Sequence, residues 1–257
     1  MNASTELMTE SKVVRVLLFG AQAQELQSLV AEYSNLRVVN ADPDVVACYG
    51  GDGTLLAAEL EWPGVPKVPI LNSRVGHRCI PHPPEQVIDA LAKHALVVNK
   101  YGKIRCAIHR AGVAEPERIL TPLNEIILSK GRANSAVRYR IWINGDPYQD
   151  DQEIIGDGLV ICTPFGSTAY FSKITRGVFT KGIGVAFVAT PDQVNHLVIP
   201  SDSVVRVVIT RGPAMLAYDC APEHISLEED DELVVHKHPD GATILTCAPV
   251  RRLSEPF

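Results

Sequence analysis

Asp52 is the residue with the most chemistry in prospect, an acid set among three glycines in Gly50-Gly51-Asp52-Gly53, with Thr54 directly after it. Glycines let a ligand approach the main chain with no Cβ in the way, and the N–H groups of such a loop favour an anion such as a phosphate. A carboxylate there repels a phosphate unless it has a task, such as holding Mg2+ or taking a proton from an attacking hydroxyl. An ordinary strand-to-helix turn also uses Gly and Asp, and composition by itself does not choose between the two.

Two later stretches carry similar residue types. In Thr121-Pro122-Leu123-Asn124-Glu125, ahead of an apolar run, Asn supplies donors and acceptors and Glu supplies two acceptor oxygens. That set suits a base edge or ribose hydroxyls, and it equally suits the entry turn of a strand. Gly156 to Tyr170, GDGLVICTPFGSTAY, repeats the Gly-Asp-Gly theme, passes through an apolar run and ends in Gly166-Ser167-Thr168 before a helical stretch. Small hydroxyl residues at a helix start cap it or contact phosphate and ribose.

The elements that must hold these residues follow from hydrophobic spacing. Val13 to Phe19, Leu36 to Val39, Val45 to Tyr49 and Lys67 to Leu71 are predicted strands. Between them, Ala23 to Tyr33 and Thr54 to Leu60 have helical spacing, and Glu85 to His94 forms another helix opened by proline. Strands joined through helices pair in parallel, which puts the Asp52 loop at a carboxyl end, where open α/β sheets bind ligands. From Leu96 the pattern changes to short runs rich in Val and Ile, and Asn144-Gly145 marks a two-residue hairpin. Predicted strands there are 104–109, 125–128, 137–143, 159–162, 185–189, 204–209, 233–236 and 243–246. The expected fold is an α/β domain with a parallel sheet over residues 1–98, then a β-rich, sandwich-like domain over 99–257, with the extreme C-terminus able to return to the first.

Composition bounds the function class. A chain of 257 residues with 46% hydrophobic and 21% charged residues is ordinary for a globular protein, and a net charge of −6 argues against a general nucleic-acid or anionic-membrane binder. The six cysteines are scattered with no C-x-x-C pair, which predicts buried thiols in a reducing compartment. The first twelve residues are polar, and no apolar run is long enough to span a bilayer, so the expected location is the cytoplasm. Glu228 to Glu232, EEDDE, is expected as an exposed acidic turn, and Arg74, His77 and Arg78 form a small basic group that suits a phosphate or a solvated loop.

Together GGDGTLL at 50–56, Asn124-Glu125 and DGLVICTPFGSTAY at 157–170 resemble the NAD kinases, which phosphorylate the adenosine ribose of NAD at its 2′-hydroxyl. The resemblance implies that Gly50, Gly51, Gly53 and Thr54 shape a phosphate loop and that Asp52 is the acid–base or metal-linked carboxylate. It implies Asn124 and Glu125 on the adenosine or ribose, Asp157 on the nicotinamide side, and Thr168, Ala169 and Tyr170 around the adenine. It further implies ATP or polyphosphate as phosphoryl donor, Mg2+ as the divalent metal with its ligands unassigned, and NAD as acceptor; unpaired edges of the β-rich half lead to the expectation of a homodimer or homotetramer. Departures from the family pattern are the Asn72 to Ile80 segment, Thr175-Arg176-Gly177 where two glycines are usual, Phe165 where a small hydroxyl residue is common, and Cys220 after Asp219 in place of Asp-Gly. They leave open a related kinase acting on another hydroxyl and a nucleotide sensor without turnover.

Overall fold

The computed structural model describes residues 13–247, apart from 75, 192 and 193. The polar N-terminal stretch lies outside the described residues. The chain divides into two compact units, Met1–Lys100 with Thr243–Phe257, and Tyr101–Ala242.

The first unit is built on a six-stranded sheet. Val14–Phe19 pairs in parallel with Leu36–Val38 on one side and Val45–Gly50 on the other, and Val45–Gly50 pairs in parallel with Lys67–Leu71. Ala242–Thr246 and Val97–Tyr101 complete the sheet, with Ile244 opposite Lys67 in parallel. Val16, Ala47, Val68 and Ile70 from the strands pack with Leu26, Val30, Val87, Ile88 and Leu91 from the helical segments. Central parallel strands buried on both faces need continuous apolar sequence, which VVAC at 45–48 supplies.

The helix expected from Glu85 to His94 spans Pro84–Ala92, and two other helices differ from the sequence expectation in kind or start. The segment expected as one helix from Ala23 to Tyr33 is a 3-10 turn, Ala23–Leu26, followed by Gln27–Ala31. The helix expected from Thr54 begins earlier, spanning Asp52–Glu61 with Gly51 as its N-cap in extended conformation. Asp52 is therefore a first-turn residue, where the helix dipole favours its charge.

The second unit holds two antiparallel sheets. One orders the strands Asp146–Pro147, Val137–Ile143, Val205–Arg211, Glu232–Lys237, Ile104–His109 and Arg118–Leu120, with Ile154–Gly156 also on Val137–Ile143. The other orders His196–Ile199, Ile183–Val188, Gly158–Cys162, Glu125–Lys130, Ala214–Tyr218 and Ile225–Leu227. Buried and half-buried positions alternate along Val137–Ile143 and Ala214–Tyr218, while Gly158–Cys162 is buried throughout. The Asn144-Gly145 hairpin forms as expected: Ile143 faces Asp146, and both turn residues take positive φ, 55° and 92°.

Two sequence expectations require correction. Asp231, within the acidic run 228–232, is buried rather than exposed; it accepts hydrogen bonds from Arg110 Nη1 at 2.6 Å, Ala111 N–H at 3.1 Å and Glu228 N–H at 3.0 Å. Burial opposes its charge, but these donors outweigh burial and hold its carboxyl below the usual range. Of the six cysteines, all free thiols, Cys220 is exposed and Cys247 half-buried, whereas the other four are buried.

One ion pair in the first unit is fully buried. Lys67, at the start of its strand, donates to Glu59 of the Asp52–Glu61 helix and to the Trp62 carbonyl at 2.6 Å. Removing one member leaves an uncompensated interior charge, so Lys67→Met is expected to cost about 3–5 kcal/mol, whereas Lys67→Met with Glu59→Leu recovers most of that loss. Urea unfolding of the three proteins checks this; equal midpoints for the single and double variants would contradict it.

Candidate functional site

In the first unit three loop ends meet at the carboxyl ends of adjacent parallel strands. Gly20 follows the first strand with φ of 129°, and a Cβ there would lie 2.3 Å from the Tyr49 carbonyl oxygen, so only glycine fits. The Asn72 N–H donates to the Gly50 carbonyl at 2.8 Å, and its side-chain amide donates to Gln22 Oε1 at 2.9 Å. Thr54 packs its side chain over Gly50, where a Cβ would come within 2.2 Å of Thr54 Oγ1. Gly53 differs: a Cβ there meets nothing within 4 Å.

Asp52 is not turned out to solvent. Its Oδ2 accepts the His77 N–H at 3.0 Å and its Oδ1 accepts the Arg78 N–H at 2.9 Å, with Cys79 Sγ 3.6 Å from Oδ1. Burial, with the Asp52 charge beside it, pushes the Cys79 thiol up to about 12, so it stays protonated and donates. Oδ1 thus takes two donors and Oδ2 one, which leaves Oδ2 the oxygen with an acceptor position to spare. His77 and Arg78, two members of the basic group, are tied to the acid through their main-chain N–H groups, an arrangement sequence spacing does not reveal. No group of three or more Asp, Glu, His or Cys side chains among the described residues could hold a metal by itself. A single acid beside a glycine turn fits Mg2+ of the kind held by one or two carboxylates, water and substrate phosphates.

In the second unit Asn124 and Glu125 lie at the start of the strand Glu125–Lys130, held from two sides. Asp219 accepts the N–H groups of Leu123 at 2.8 Å, Asn124 at 2.8 Å and Glu125 at 3.2 Å, and returns its own N–H to the Glu125 carbonyl at 3.1 Å. Opposite, Thr163 donates its hydroxyl to the Leu123 carbonyl at 2.6 Å and its N–H to the Asn124 carbonyl at 2.8 Å. The Gly166 N–H donates to Thr163 Oγ1 at 3.1 Å, and a Cβ on Gly166 would lie 2.3 Å from the Asn124 carbonyl oxygen. The Asn124-Glu125 pair and the TPFGS block are therefore one packed unit.

The side chains this framework presents are buried, and two of their atoms, Asn124 Oδ1 and Glu125 Oε2, have no hydrogen-bond partner among the described residues. Burial pushes the Glu125 carboxyl up to about 8, and the nearby charge of Asp219 adds to the shift. Asp219 rises to about 6, because burial outweighs its three N–H bonds and the charge of Lys103. At neutral pH the pair is split, Asp219 charged and Glu125 protonated, a division of roles that acid–base sites use.

The remaining candidates surround this pair unevenly. Gly166–Thr168 forms a 3-10 turn and Tyr170–Thr175 a short helix, so Thr168, Ala169 and Tyr170 follow Gly166 closely, with Tyr170 exposed. Arg176 ends that helix with φ of 60°, the left-handed conformation in which glycine is favoured, which explains the departure at that position as a strained tolerance. Phe165 is buried against the edge of Tyr101, with ring centres 4.7 Å apart. Asp157 lies farther away: Cys162 is the residue paired with Glu125, and five strand steps put Asp157 roughly 16 Å along. It forms an ion pair with Lys130 at 2.8 Å. The grip of Asp219 on the main chain and the Thr163 bridge depend on strand register, Tyr218 opposite Ile126, which no local motif encodes.

Because the folded Glu125 pKa lies above its ordinary value, its contribution to stability is fully present below about 4.5 and is gone once pH has risen through about 8. Glu125→Gln, fixed in the neutral form, is expected to melt below the parent protein at pH 5 and to gain on it by pH 8.5. Thermal melts across that range check it, and a difference independent of pH would contradict it.

Comparison with known proteins agrees with these features. Residues 123–246 match the family described as the ATP-NAD kinase C-terminal domain. An NAD kinase of Chloroflexus aurantiacus is 30% identical over 224 residues, covering 81% of this chain and 77% of that protein. An NAD kinase of Neisseria meningitidis is 28% identical over 213 residues, covering 79% and 69%. Among solved structures, yeast NADH kinase complexed with NADH superposes with a TM-score of 0.74 at 17% identity, covering 84% of this chain and 67% of that one. An NAD kinase from Archaeoglobus fulgidus in complex with ATP gives 0.68 at 16%, covering 90% and 91%. At those identities the structures speak for the fold, an α/β unit with a β-rich second unit. The sequence relatives, joined to the GGDGT turn, the Asn-Glu pair and the TPFGSTAY block, show that this chain belongs to the NAD kinase family of phosphotransferases.

Proposed function

We propose that the protein transfers the γ-phosphoryl group of ATP to the 2′-hydroxyl of the adenosine ribose of NAD. The observation that carries the proposal is the Asp52 carboxylate, fixed by two main-chain N–H groups at a glycine turn where a helix begins. Such a turn suits a phosphate chain, and an oriented carboxylate with an unused acceptor position suits a hydroxyl that must lose its proton. In the step, Asp52 takes the hydroxyl proton as the oxygen bonds to the γ-phosphorus, and the bond to the ADP oxygen breaks. Mg2+, when bound with the nucleotide, neutralises charge on the phosphates. Gly50, Gly51, Gly53 and Thr54 form the turn itself.

Asn124 and Glu125 would take the adenosine or its ribose, with the unpartnered Asn124 Oδ1 and Glu125 Oε2 finding ligand groups. Thr168, Ala169 and Tyr170 would border the adenine and Asp157 the nicotinamide side. The separation of Asp157 from Glu125 supports an extended dinucleotide over a mononucleotide as acceptor, because one ligand must reach both. Polyphosphate as donor rests on the segment of Arg74, His77 and Arg78, which carries two arginines and binds Asp52 through the His77 and Arg78 N–H groups. Low-polarity strand edges support a homodimer or homotetramer: Val198 is exposed on the edge strand His196–Ile199. The absence of a helix long and apolar enough to cross a membrane among the described residues supports a cytoplasmic location.

Two substitutions test the proposal in an assay that couples NADP formation from ATP or polyphosphate, NAD and Mg2+ to a dehydrogenase. Asp52→Asn is expected to lower kcat by about 100-fold or more while NAD binding is retained; turnover close to the parent rate would refute Asp52 as the base. Gly53→Ala is expected to do the opposite to stability and activity. Alanine in a helix is favoured over glycine by about 1 kcal/mol and meets no obstacle, so the melting temperature rises, while kcat/KM falls because the ligand needs the space. Unchanged kcat/KM would show that nothing approaches the turn there.

A further inference from the structure

We propose that Asp219 is a positioning residue of the nucleoside site: its carboxylate sets the direction in which Asn124 and Glu125 present their side chains to the adenosine half of NAD. The inference rests on the nucleotide reading above and adds to it a residue that touches no substrate in that reading.

Three consecutive N–H groups, of Leu123, Asn124 and Glu125, converge on one carboxylate. Consecutive N–H groups of an extended strand point to opposite sides, so their convergence means that the chain bends here before it enters the strand Glu125–Lys130. The bend determines where the Asn124 and Glu125 side chains emerge. Without a shared acceptor, three main-chain donors would be left unpaired, each at a substantial penalty. The geometry is costly on the side of Asp219 as well. It takes φ of 43°, a left-handed conformation that most residues avoid and Asp tolerates better than most. Strain of that kind persists where the surroundings dictate it, and here the Asp219 N–H is itself tied to the Glu125 carbonyl.

Asp219 also acts on Glu125 through charge. Its ionised carboxylate disfavours a second charge on Glu125, while Lys103 favours the ionised form of Asp219. Among the described residues the other ionisable groups against this pair are the thiols of Cys162, which burial beside Glu125 holds protonated, and Cys220, exposed as a residue, whose thiol is shifted up by partial desolvation and the Asp219 charge. Asp219 therefore fixes both the direction of the two side chains and the protonation of one of them. A residue that only held the fold together would do neither selectively.

The test uses the full chain and Asp219→Asn, which keeps the shape, loses the charge and turns a donor toward one of the N–H groups. The expected result is a KM for NAD raised about tenfold or more, with the KM for ATP within about twofold of the parent. The limb of the NAD-affinity pH profile set by Glu125 is also expected to move to lower pH, because the neighbouring negative charge is gone. Unchanged KM for NAD with an unshifted profile would overturn the proposal, even if the variant were less stable. The unmutated protein gives a second readout, independent of how the variant folds. The backbone amide resonances of Leu123, Asn124 and Glu125 should titrate together, and NAD affinity should fall with the same midpoint as pH is lowered; affinity constant through that midpoint would overturn it. Parent protein that binds NAD but forms no NADP refutes the proposed reaction and leaves this test in force, whereas parent protein that binds no NAD overturns both.

Discussion

A bent main chain leaves N–H groups that must find acceptors, and in each unit of this protein an aspartate supplies them. Asp52 takes the N–H groups of His77 and Arg78, and Asp219 takes those of Leu123, Asn124 and Glu125. The arrangement uses charge to fix backbone direction, which is worth more than a neutral contact because the acceptor is ionised. Loops gain rigidity by this means without filling with side chains, so the glycine turn at 50–53 stays open while its neighbours are fixed.

The second unit shows how a sheet delivers such a site. Gly158–Cys162 pairs with Glu125–Lys130, which pairs with Ala214–Tyr218, so the residues just before or after these strands, Asn124, Thr163 and Asp219, meet at one end. Thr163 holds the carbonyls of Leu123 and Asn124, and Asp219 holds the N–H groups of these two and both polar main-chain groups of Glu125. The Asn124-Glu125 side chains are then directed by a backbone with every polar group in use. Buried and partly unpartnered, Asn124 Oδ1 and Glu125 Oε2 carry a desolvation cost that the proposed nucleoside would relieve.

Much of this was legible in the sequence, and the limits are physical. The strands at 45–50, 67–71, 137–143 and 158–162 and the Asn144-Gly145 hairpin are written in local apolar runs and turn chemistry. The segment 23–33 misled because apolar spacing suits a helix, while the chain there begins as a 3-10 turn. Asp231 was misplaced because its burial comes from partners more than a hundred residues away, Arg110 and Ala111. Asp219 stood out in the sequence only because Cys220 follows it where the family pattern has glycine, and its grip on Leu123 to Glu125 follows from sheet register, which composition does not carry. The short strands Arg118–Leu120 and Ile225–Leu227 were not legible at all, since three residues hold too little periodicity.

The central claim is that the phosphoryl group is placed on the ribose 2′-oxygen of the adenosine half of NAD. Phosphorus and proton NMR of the product formed from NAD and ATP tests this most directly, because the new phosphomonoester couples to the ribose proton on the carbon that carries it. The account predicts a phosphomonoester coupled to H2′ of the adenosine ribose. Coupling to another ribose proton, or phosphate on the nicotinamide half, would contradict it.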